Sequence, residues 1–373
     1  MGTGMTSRRR SVSAAHLVRT TFVAGMAPAL LLLAAVAHAE DPPVRLTSAR
    51  ALGMGDAVVA VFEDRAVLYD NPAGLRRLTR TQFSVLGLRG AIDDDLPGTV
   101  EFIQDHEQQF GEFEDLDDDF YEDLSEWDDR WVGADAATYF DFARPGLGIG
   151  VFATGATQVK IDRGVYEPRV YESAYSDIVA ELGASTHLAL PDLLAGCALK
   201  GVWRRESTRQ LTATDAADFD VQEIVDELSV AKPGFSMDLG SAWAPEHSRF
   251  AAGCVLRDGF GWIGGERIDS SLDVGGSWSV HSDHGVLRGL VVAADLRDVA
   301  DDDAFGKKIH FGAEARIPIL SLRAGSHQGY AAVGAGVKLP GFSLDWAWWG
   351  RELGSLPGSE DQFLHSVELR LGT

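Results

Sequence analysis

The residue run with the most obvious capacity for chemistry is acidic. Positions 93–129 contain seventeen Asp or Glu residues and no Lys or Arg, with aromatic residues between them. Carboxylate oxygens are the ligands that Ca²⁺ and Mg²⁺ prefer, so Asp117, Asp118 and Asp119 are candidate ligands for a divalent cation. The run lacks the glycine and the spaced final Glu of an EF-hand loop. The alternative is a solvated, partly helical surface loop, and the pattern specifies no metal site.

Patterns for catalysis and cofactor binding are absent from the sequence. No H-E-x-x-H, G-x-S-x-G or phosphate-loop motif occurs, and the histidines are scattered. We therefore predict that the protein is not an enzyme and has no cofactor. The formal net charge of −23 argues against a nucleic acid as partner, because phosphate binding needs a basic surface.

The elements that must position these residues are strands. Fourteen candidate strands, most of them about ten residues long, run from 82–90 to 363–371 with apolar residues at every second position. The connections between them are long and tight in turn. A transmembrane barrel has this asymmetry, because its tight turns lie on the periplasmic side and its long loops on the other.

The predicted fold is therefore all-β, a 14-stranded antiparallel transmembrane β-barrel. An even strand count places both chain ends in the periplasm and every long connection outside the cell; on that side only 327–329 is short. Beyond the N-terminal region no apolar run is long enough for a membrane-spanning helix. The alternative is a soluble β-sandwich. Tryptophans near strand ends, such as Trp203 and Trp243, favour the membrane.

The N-terminus has the pattern of a secretory signal peptide over residues 1–39. Arg8, Arg9 and Arg10 supply the positive region, an apolar stretch follows at 20–36, and 37–39 reads Ala-His-Ala before Glu40. The alternative is a retained membrane anchor. Together with the barrel pattern, the signal predicts the outer membrane of a Gram-negative bacterium as the location.

Charged residues of both signs occupy the polar positions of the predicted strands. Such alternation predicts a hydrated or salt-bridged lumen, and we expect Asp238→Asn to be mild because its side chain would face that lumen. The lumen-facing polar residues predicted in this way are Glu181, Lys200, Asp238, Asp273, Glu314, Arg316, Lys338, Asp345, Glu368 and Arg370.

Residues 48–75 contain two short boxes. The first box has Gly53, Met54, Gly55 and Ala57, and the second has Asn71, Pro72, Ala73 and Gly74. At this spacing the two boxes resemble the N-terminal hatch of the FadL-like and PorV-like outer-membrane proteins. The chain departs from the family pattern at Asp56, where a Gly is usual, at Asp70, where an aromatic residue is common, and at its end, which lacks a terminal aromatic residue.

The two boxes also have a physical interpretation. Gly53 and Gly55 permit close backbone packing or a positive φ, and Asn71 before Pro72 disfavours a helical backbone. The resemblance implies that residues 40–80 form a hatch that plugs residues 81–373, the barrel, with 91–134 as an acidic extracellular loop.

The resemblance implies an outer-membrane channel that passes hydrophobic or small amphipathic molecules through a plugged lumen. The alternatives are a PorV-like component of protein secretion or surface assembly, and a structural or adhesive surface protein that works through its acidic loop. Candidate partners are outer-membrane lipid and lipopolysaccharide, a hydrophobic ligand, secretion-system proteins, and divalent cations at the loop.

Overall fold

The computed structural model describes residues 44–106, 118–164, 169–190, 192–212, 229–282, 285–301, 304–354 and 356–373. The predicted signal peptide and Asp117 lie outside these residues.

Alternating side chains form long antiparallel strands in these parts of the chain. The strands are β1 (Gln82–Asp93), β2 (Arg130–Arg144), β3 (Leu147–Asp162), β4 (Arg169–His187), β5 (Leu193–Thr212), β6 (Lys232–Trp243), β7 (Phe250–Arg257), β8 (Trp262–Ile263), β9 (Glu266–Arg267), β10 (Ser271–His281), β11 (Gly289–Leu296), β12 (Ile309–Arg316), β13 (Leu320–His327), β14 (Tyr330–Leu339), β15 (Phe342–Glu352) and β16 (Asp361–Gly372).

Fourteen of these strands form a closed ring, which confirms the predicted fold class. Each strand pairs with its neighbours in sequence, β7 pairs with β10, and β1 pairs with β16 to close the ring. The remaining two strands, β8 and β9, form a small hairpin that extends the ladder along β6.

Strand length varies around the ring more than the sequence pattern indicates. Strands β2 to β5 have 15 to 20 residues, whereas β11, β12 and β13 have eight each. The predicted boundaries of the acidic loop, 91–134, are also wrong. Strand β1 continues to Asp93 because the alternation persists, with Ala91 and Asp93 buried and Ile92 exposed, and β2 already begins at Arg130.

The outer surface of the ring is apolar and the inner surface is polar. Leu239 on β6 is 38% exposed, whereas the adjacent Asp238 is completely buried. Other large apolar side chains point outward from strands all round the ring, among them Phe140, Ile178, Leu199, Leu322 and Val367. This distribution is that of a membrane barrel, whose lipid-facing and lumen-facing residues alternate.

Short helices complete the structure. They are α1 (Ala49–Gly53), α2 (Val67–Asp70), the 3₁₀ helix η1 (Pro72–Arg77), α3 (Leu96–Asp105), α4 (Asp118–Trp127) and α5 (Phe305–Lys308). No helix in the described part of the chain has the length and apolar character needed to cross a membrane.

Residues 44–81, here called the N-terminal segment, lie within the ring. Helix α1 packs on β13 to β16, and η1 packs on β2 to β6. The wall accommodates this segment through glycines: a Cβ on Gly312 would lie 2.1 Å from the Met54 carbonyl oxygen, and one on Gly196 would lie 2.3 Å from the Ala73 nitrogen. At these two positions the backbone of the segment therefore occupies the space that a side chain of the wall would otherwise fill.

Candidate functional site

The first box lies against strands β11 to β14. Gly55 has a φ of +62°, a conformation that favours glycine, and a Cβ there would lie 2.3 Å from the Ser326 carbonyl oxygen. Gly53 approaches the Gly334 backbone in the same way. Met54 and Ala57 are fully buried in a cluster with Val61, Val291 and Ala293. The first box therefore lies directly on the wall, with its small residues at the closest approaches.

The second box is fixed by a buried amide. Asn71 is completely buried, and its Nδ2 donates to the carbonyl oxygens of Val59, at 3.1 Å, and Ser241, at 3.2 Å. Its Oδ1 accepts from the Ala73 nitrogen at 3.2 Å, which caps η1. Pro72, Ala73 and Gly74 are buried in the first turn of η1. A single side chain thus joins two parts of the segment to strand β6.

Asp56, a departure from the family pattern, is part of a buried ion-pair network. Arg45 donates to both of its carboxylate oxygens at 2.9 Å and to Asp70 at 2.7 Å, and Arg297 at the end of β11 lies 2.7 Å from Asp56. Burial alone would raise the pKa of Asp56, but Arg297 and Arg45 hold it well below its usual range. The sequence does not predict this network because Arg297 lies 241 positions from Asp56 in the chain.

Glu314 is the centre of a second network. Arg50 of the segment lies 2.8 Å from Glu314 and 3.1 Å from Asp64, while Arg316 and Arg323 each lie 2.8 Å from Glu314. Burial raises the pKa of Asp64, but Arg50 outweighs it and lowers that pKa well below its usual range. This network brings the predicted residues Glu314, Arg316 and Asp345 together, since Arg323 also lies 2.8 Å from Asp345.

Lys200 binds Val44, the first residue of the N-terminal segment. Its Nζ donates to the Val44 carbonyl oxygen at 2.6 Å, to Asp238 at 2.8 Å and to Asp258 at 3.3 Å. We therefore expect Asp238→Asn to be more costly than the sequence predicts, because it removes a negative charge beside a buried ammonium. Asp258 was missed as a site residue: it follows β7 with a φ of +48°, which interrupts the alternation. Glu181, opposite Lys200 on β4, has no hydrogen-bond partner among the described residues.

Two further predicted acids reach the segment from the wall. Asp273 accepts from Arg257 Nε at 2.8 Å, and the same guanidinium donates to the carbonyl oxygens of Tyr69 and Asp70. Glu368 accepts from the Ala49 nitrogen at 2.6 Å and from the Tyr139 hydroxyl. Both acids thus bind or support backbone of the segment. Arg370 and Lys338 line a cavity near the tight turns of β12 to β16.

The lumen beyond the segment is also ion-paired. Arg204 donates to Asp177 at 2.8 and 2.9 Å, and Arg89 lies 2.7 Å from Asp135. An apolar patch interrupts this polar lining where Phe152, Val179 and Val202 of β3 to β5 meet Ile263 and Ile268. We call these five residues the inner apolar patch.

The described parts of the acidic connection between β1 and β2, residues 94–106 and 118–129, pack together. Helices α3 and α4 pack through Phe102, Phe120 and Leu124 against Ile161 of β3. Asp118 and Asp119 begin α4. Within the described residues, no group of three or more His, Cys, Asp or Glu side chains is arranged to hold a metal ion.

One prediction follows from the Asp56 network. We expect Asp56→Asn to loosen the segment, because it leaves Arg297 without its buried partner, a change that costs about 3–5 kcal/mol. Limited proteolysis of the folded protein should then cleave the segment faster. Asp192→Asn is the matched control, since Asp192 has a similar φ of +59° but is exposed and forms no ion pair with a described residue. Equal cleavage of both variants would contradict the prediction.

The same network gives a pH dependence. The folded-state pKa of Asp56 is depressed, so its contribution to stability is present above the unfolded-state pKa, near 3.9, and is lost as the pH falls through the lower folded-state value. Protection of the segment should therefore persist throughout the neutral range and weaken only in strong acid.

Comparison with known proteins supports the fold. Neither the protein-family models nor the curated proteins gave a match. Among solved structures, the Pseudomonas putida toluene transporter TodX is 12% identical, with 89% of this chain and 98% of that chain covered at a TM-score of 0.50. A mutant of the same protein, described as a monoaromatic hydrocarbon channel, is 12% identical over 88% and 98% of the two chains, also at 0.50.

A Pseudomonas aeruginosa FadL homologue matches with 10% identity over 88% of this chain and 98% of that chain, at a TM-score of 0.44. The two TodX structures are the informative ones. They show that this chain has the fold of a FadL-like outer-membrane barrel, which confirms the resemblance drawn from the two boxes at the level of the fold.

Proposed function

We propose that the protein is an outer-membrane channel of a Gram-negative bacterium, which passes hydrophobic or small amphipathic molecules through a lumen plugged by the N-terminal segment. The observation that carries this proposal is a fourteen-stranded ring, of the TodX fold, whose interior is occupied by a segment of the same chain. TodX is a toluene transporter, and its mutant is a monoaromatic hydrocarbon channel.

The inner apolar patch is the proposed contact surface for such a molecule on the barrel wall. Phe152, Val179 and Val202 lie on adjacent strands and bury their side chains toward the lumen. An apolar molecule gains roughly 25 cal/mol for each Å² of surface that such a patch removes from water. The segment residues Val44 and Leu46 belong to the same cluster, so movement of the segment would expose the patch.

The proposal is tested by uptake of radiolabelled toluene in a Gram-negative host that lacks hydrocarbon channels. Cells producing the protein should take up toluene faster than cells with an empty vector, because the lipopolysaccharide layer otherwise limits entry. Val179→Asn, on the patch, should lower the rate, whereas Ile178→Asn, one residue away on the outer face, should not. Each uptake rate is divided by the amount of folded protein, which is measured from the gel band of the folded form. A rate equal to that of the empty vector would exclude this function.

A second candidate is a PorV-like component of protein secretion or surface assembly. The favouring observation is the ion pairing of the lumen on both sides of the inner apolar patch, at Arg204 and Asp177 and at Lys200 and Asp238. Such a lining suits a barrel that stays closed. This candidate would be favoured if the protein did not take up toluene and if secretion-system proteins copurified with it.

The acidic connection has a separate proposed role at the cell surface. Its excess of carboxylates can share divalent cations with the anionic groups of lipopolysaccharide, since hard cations prefer oxygen ligands. The proposed cation ligands are Asp117, Asp118 and Asp119. A structural or adhesive role of the connection at the cell surface would use the same binding of divalent cations.

A further inference from the structure

A cavity of about 110 Å³ lies between the N-terminal segment and the wall, at the end of the barrel that carries the tight turns. Arg50, Glu63 and Asp64 of the segment form one side, and strands β12 to β16 form the other. A polar cavity of this size holds several water molecules. It is therefore large enough for a small polyatomic ion.

Three lining residues form a row across adjacent strands. Lys338 of β14 is directly opposite Ser343 of β15, and Ser343 is directly opposite Arg370 of β16. Side chains opposite each other in antiparallel strands have Cβ atoms about 4.5–5.5 Å apart. The ammonium, the hydroxyl and the guanidinium can therefore reach the same point in the cavity.

Two of the three polar groups of this row have no partner in the described part of the chain. The ammonium of the exposed Lys338 forms no hydrogen bond or ion pair with a described residue, and the Arg370 guanidinium forms a long ion pair with Glu368, at 3.9 Å. Ser343 is 5% exposed, and its hydroxyl has no hydrogen-bond partner in the described part of the chain. A buried hydroxyl without a partner is costly, which indicates that something else satisfies it.

Each acid that lines the cavity has another cation as its closest partner, although Asp64 also attracts Lys338 and Arg370. Glu314 contacts Arg50, Arg316 and Arg323, while Asp345 contacts Arg323. The remaining two, Glu63 and Asp64, contact Arg316 and Arg50 respectively. The lining has five Arg or Lys residues and four Asp or Glu residues, and Arg370 has Glu368 as a partner outside the lining, so Lys338 carries the excess positive charge.

We propose that Lys338, Ser343 and Arg370 form a binding site for a small oxyanion, a phosphate or a carboxylate. Lysine supplies a point charge, arginine supplies paired N–H donors that match two oxygens, and the serine hydroxyl supplies a third donor. The site opens toward the periplasmic end of the lumen, so its ligand comes from the periplasmic water or from cargo that leaves the barrel. This site is independent of the proposed channel function.

Isothermal titration calorimetry of the complete mature protein in detergent tests the proposal. Inorganic phosphate and acetate are the two probes, at constant ionic strength with sodium chloride as the reference. We expect saturable binding of at least one probe. Lys338→Gln should weaken it by about tenfold or more, the loss expected when one charge-assisted hydrogen bond is removed, and Ser343→Ala should weaken it less. Binding of phosphate alone would assign a phosphate site, and binding of both would assign a general oxyanion site.

Arg144→Gln is the control, because Arg144 is an exposed arginine at the same end of the barrel but outside the cavity. It should bind both probes as the unchanged protein does. Absence of saturable binding, or an equal loss in Arg144→Gln and Lys338→Gln, would overturn the proposal. If Lys338→Gln does not fold, Ser343→Ala and Arg370→Lys provide the comparison, and unchanged binding by both variants would likewise overturn it.

Discussion

Removal of residues 40–75 is expected to convert a closed barrel into an ion-conducting pore. The first strand of the ring begins at Gln82, so the deletion leaves every strand pairing in place. It removes the partners of Lys200, Arg257, Glu314 and Glu368 on the wall. These charged groups would then be solvated, and water would fill the vacated lumen.

Planar-bilayer recording measures the effect. The intact protein should stay mostly closed, and the deletion variant should conduct at least about tenfold more, because an unfilled barrel of this strand number is wide enough for water and ions. Deletion of residues 213–228, between β5 and β6, controls for truncation. Heat-modifiable gel migration shows whether each variant has assembled. An assembled deletion variant with unchanged conductance would exclude the plug role; failure to assemble would make the segment a folding or docking element and favour the secretion candidate.

Leu239→Arg is expected to prevent stable insertion of the barrel into bilayers. Leu239 points outward from β6 and is 38% exposed, so arginine there would face hydrocarbon. The cost is roughly 2–4 kcal/mol if the position is near the midplane of the membrane. Unfolding equilibria in lipid vesicles measure it.

Leu356→Arg is the matched control, since Leu356 is 63% exposed but lies between β15 and β16. A surface substitution of this kind usually changes stability by less than about 0.5 kcal/mol. Equal effects of the two substitutions would mean that the outer face of β6 does not contact lipid.

The strand count and the direction of most side chains could be predicted from the sequence, because a period of two is a local property. Leu239 and Asp238 illustrate this: one residue apart, they lie on opposite faces as the alternation requires. Strand ends were less predictable. Strands β2 to β5 continue well past their apolar stretches, since backbone pairing with a long neighbour does not require an apolar face.

The ion-pair partners could not be predicted, because the sequence does not show which distant residues meet in the lumen. Asp56 was identified only as a departure from a pattern, yet it accepts from Arg45 and lies against Arg297. Asp258 was missed for a different reason. The dipeptide Asp258-Gly259 is typical of a turn, but no local signal indicates that the Asp258 carboxylate contacts Lys200 in the lumen.

The contacts that hold the N-terminal segment also determine when it can become ordered during folding. Arg50 and Glu314 are separated by 264 positions, and Ala49 and Glu368 by 319. Contacts of such long sequence separation carry a high loop-closure entropy and form slowly. Because Glu368 belongs to β16, the last strand of the ring, its bond to Ala49 cannot form until synthesis and pairing are nearly complete. The segment is synthesised before the barrel, but its contact through Ala49 forms only after the last strand has paired, so we expect this part of the segment to become ordered late in folding.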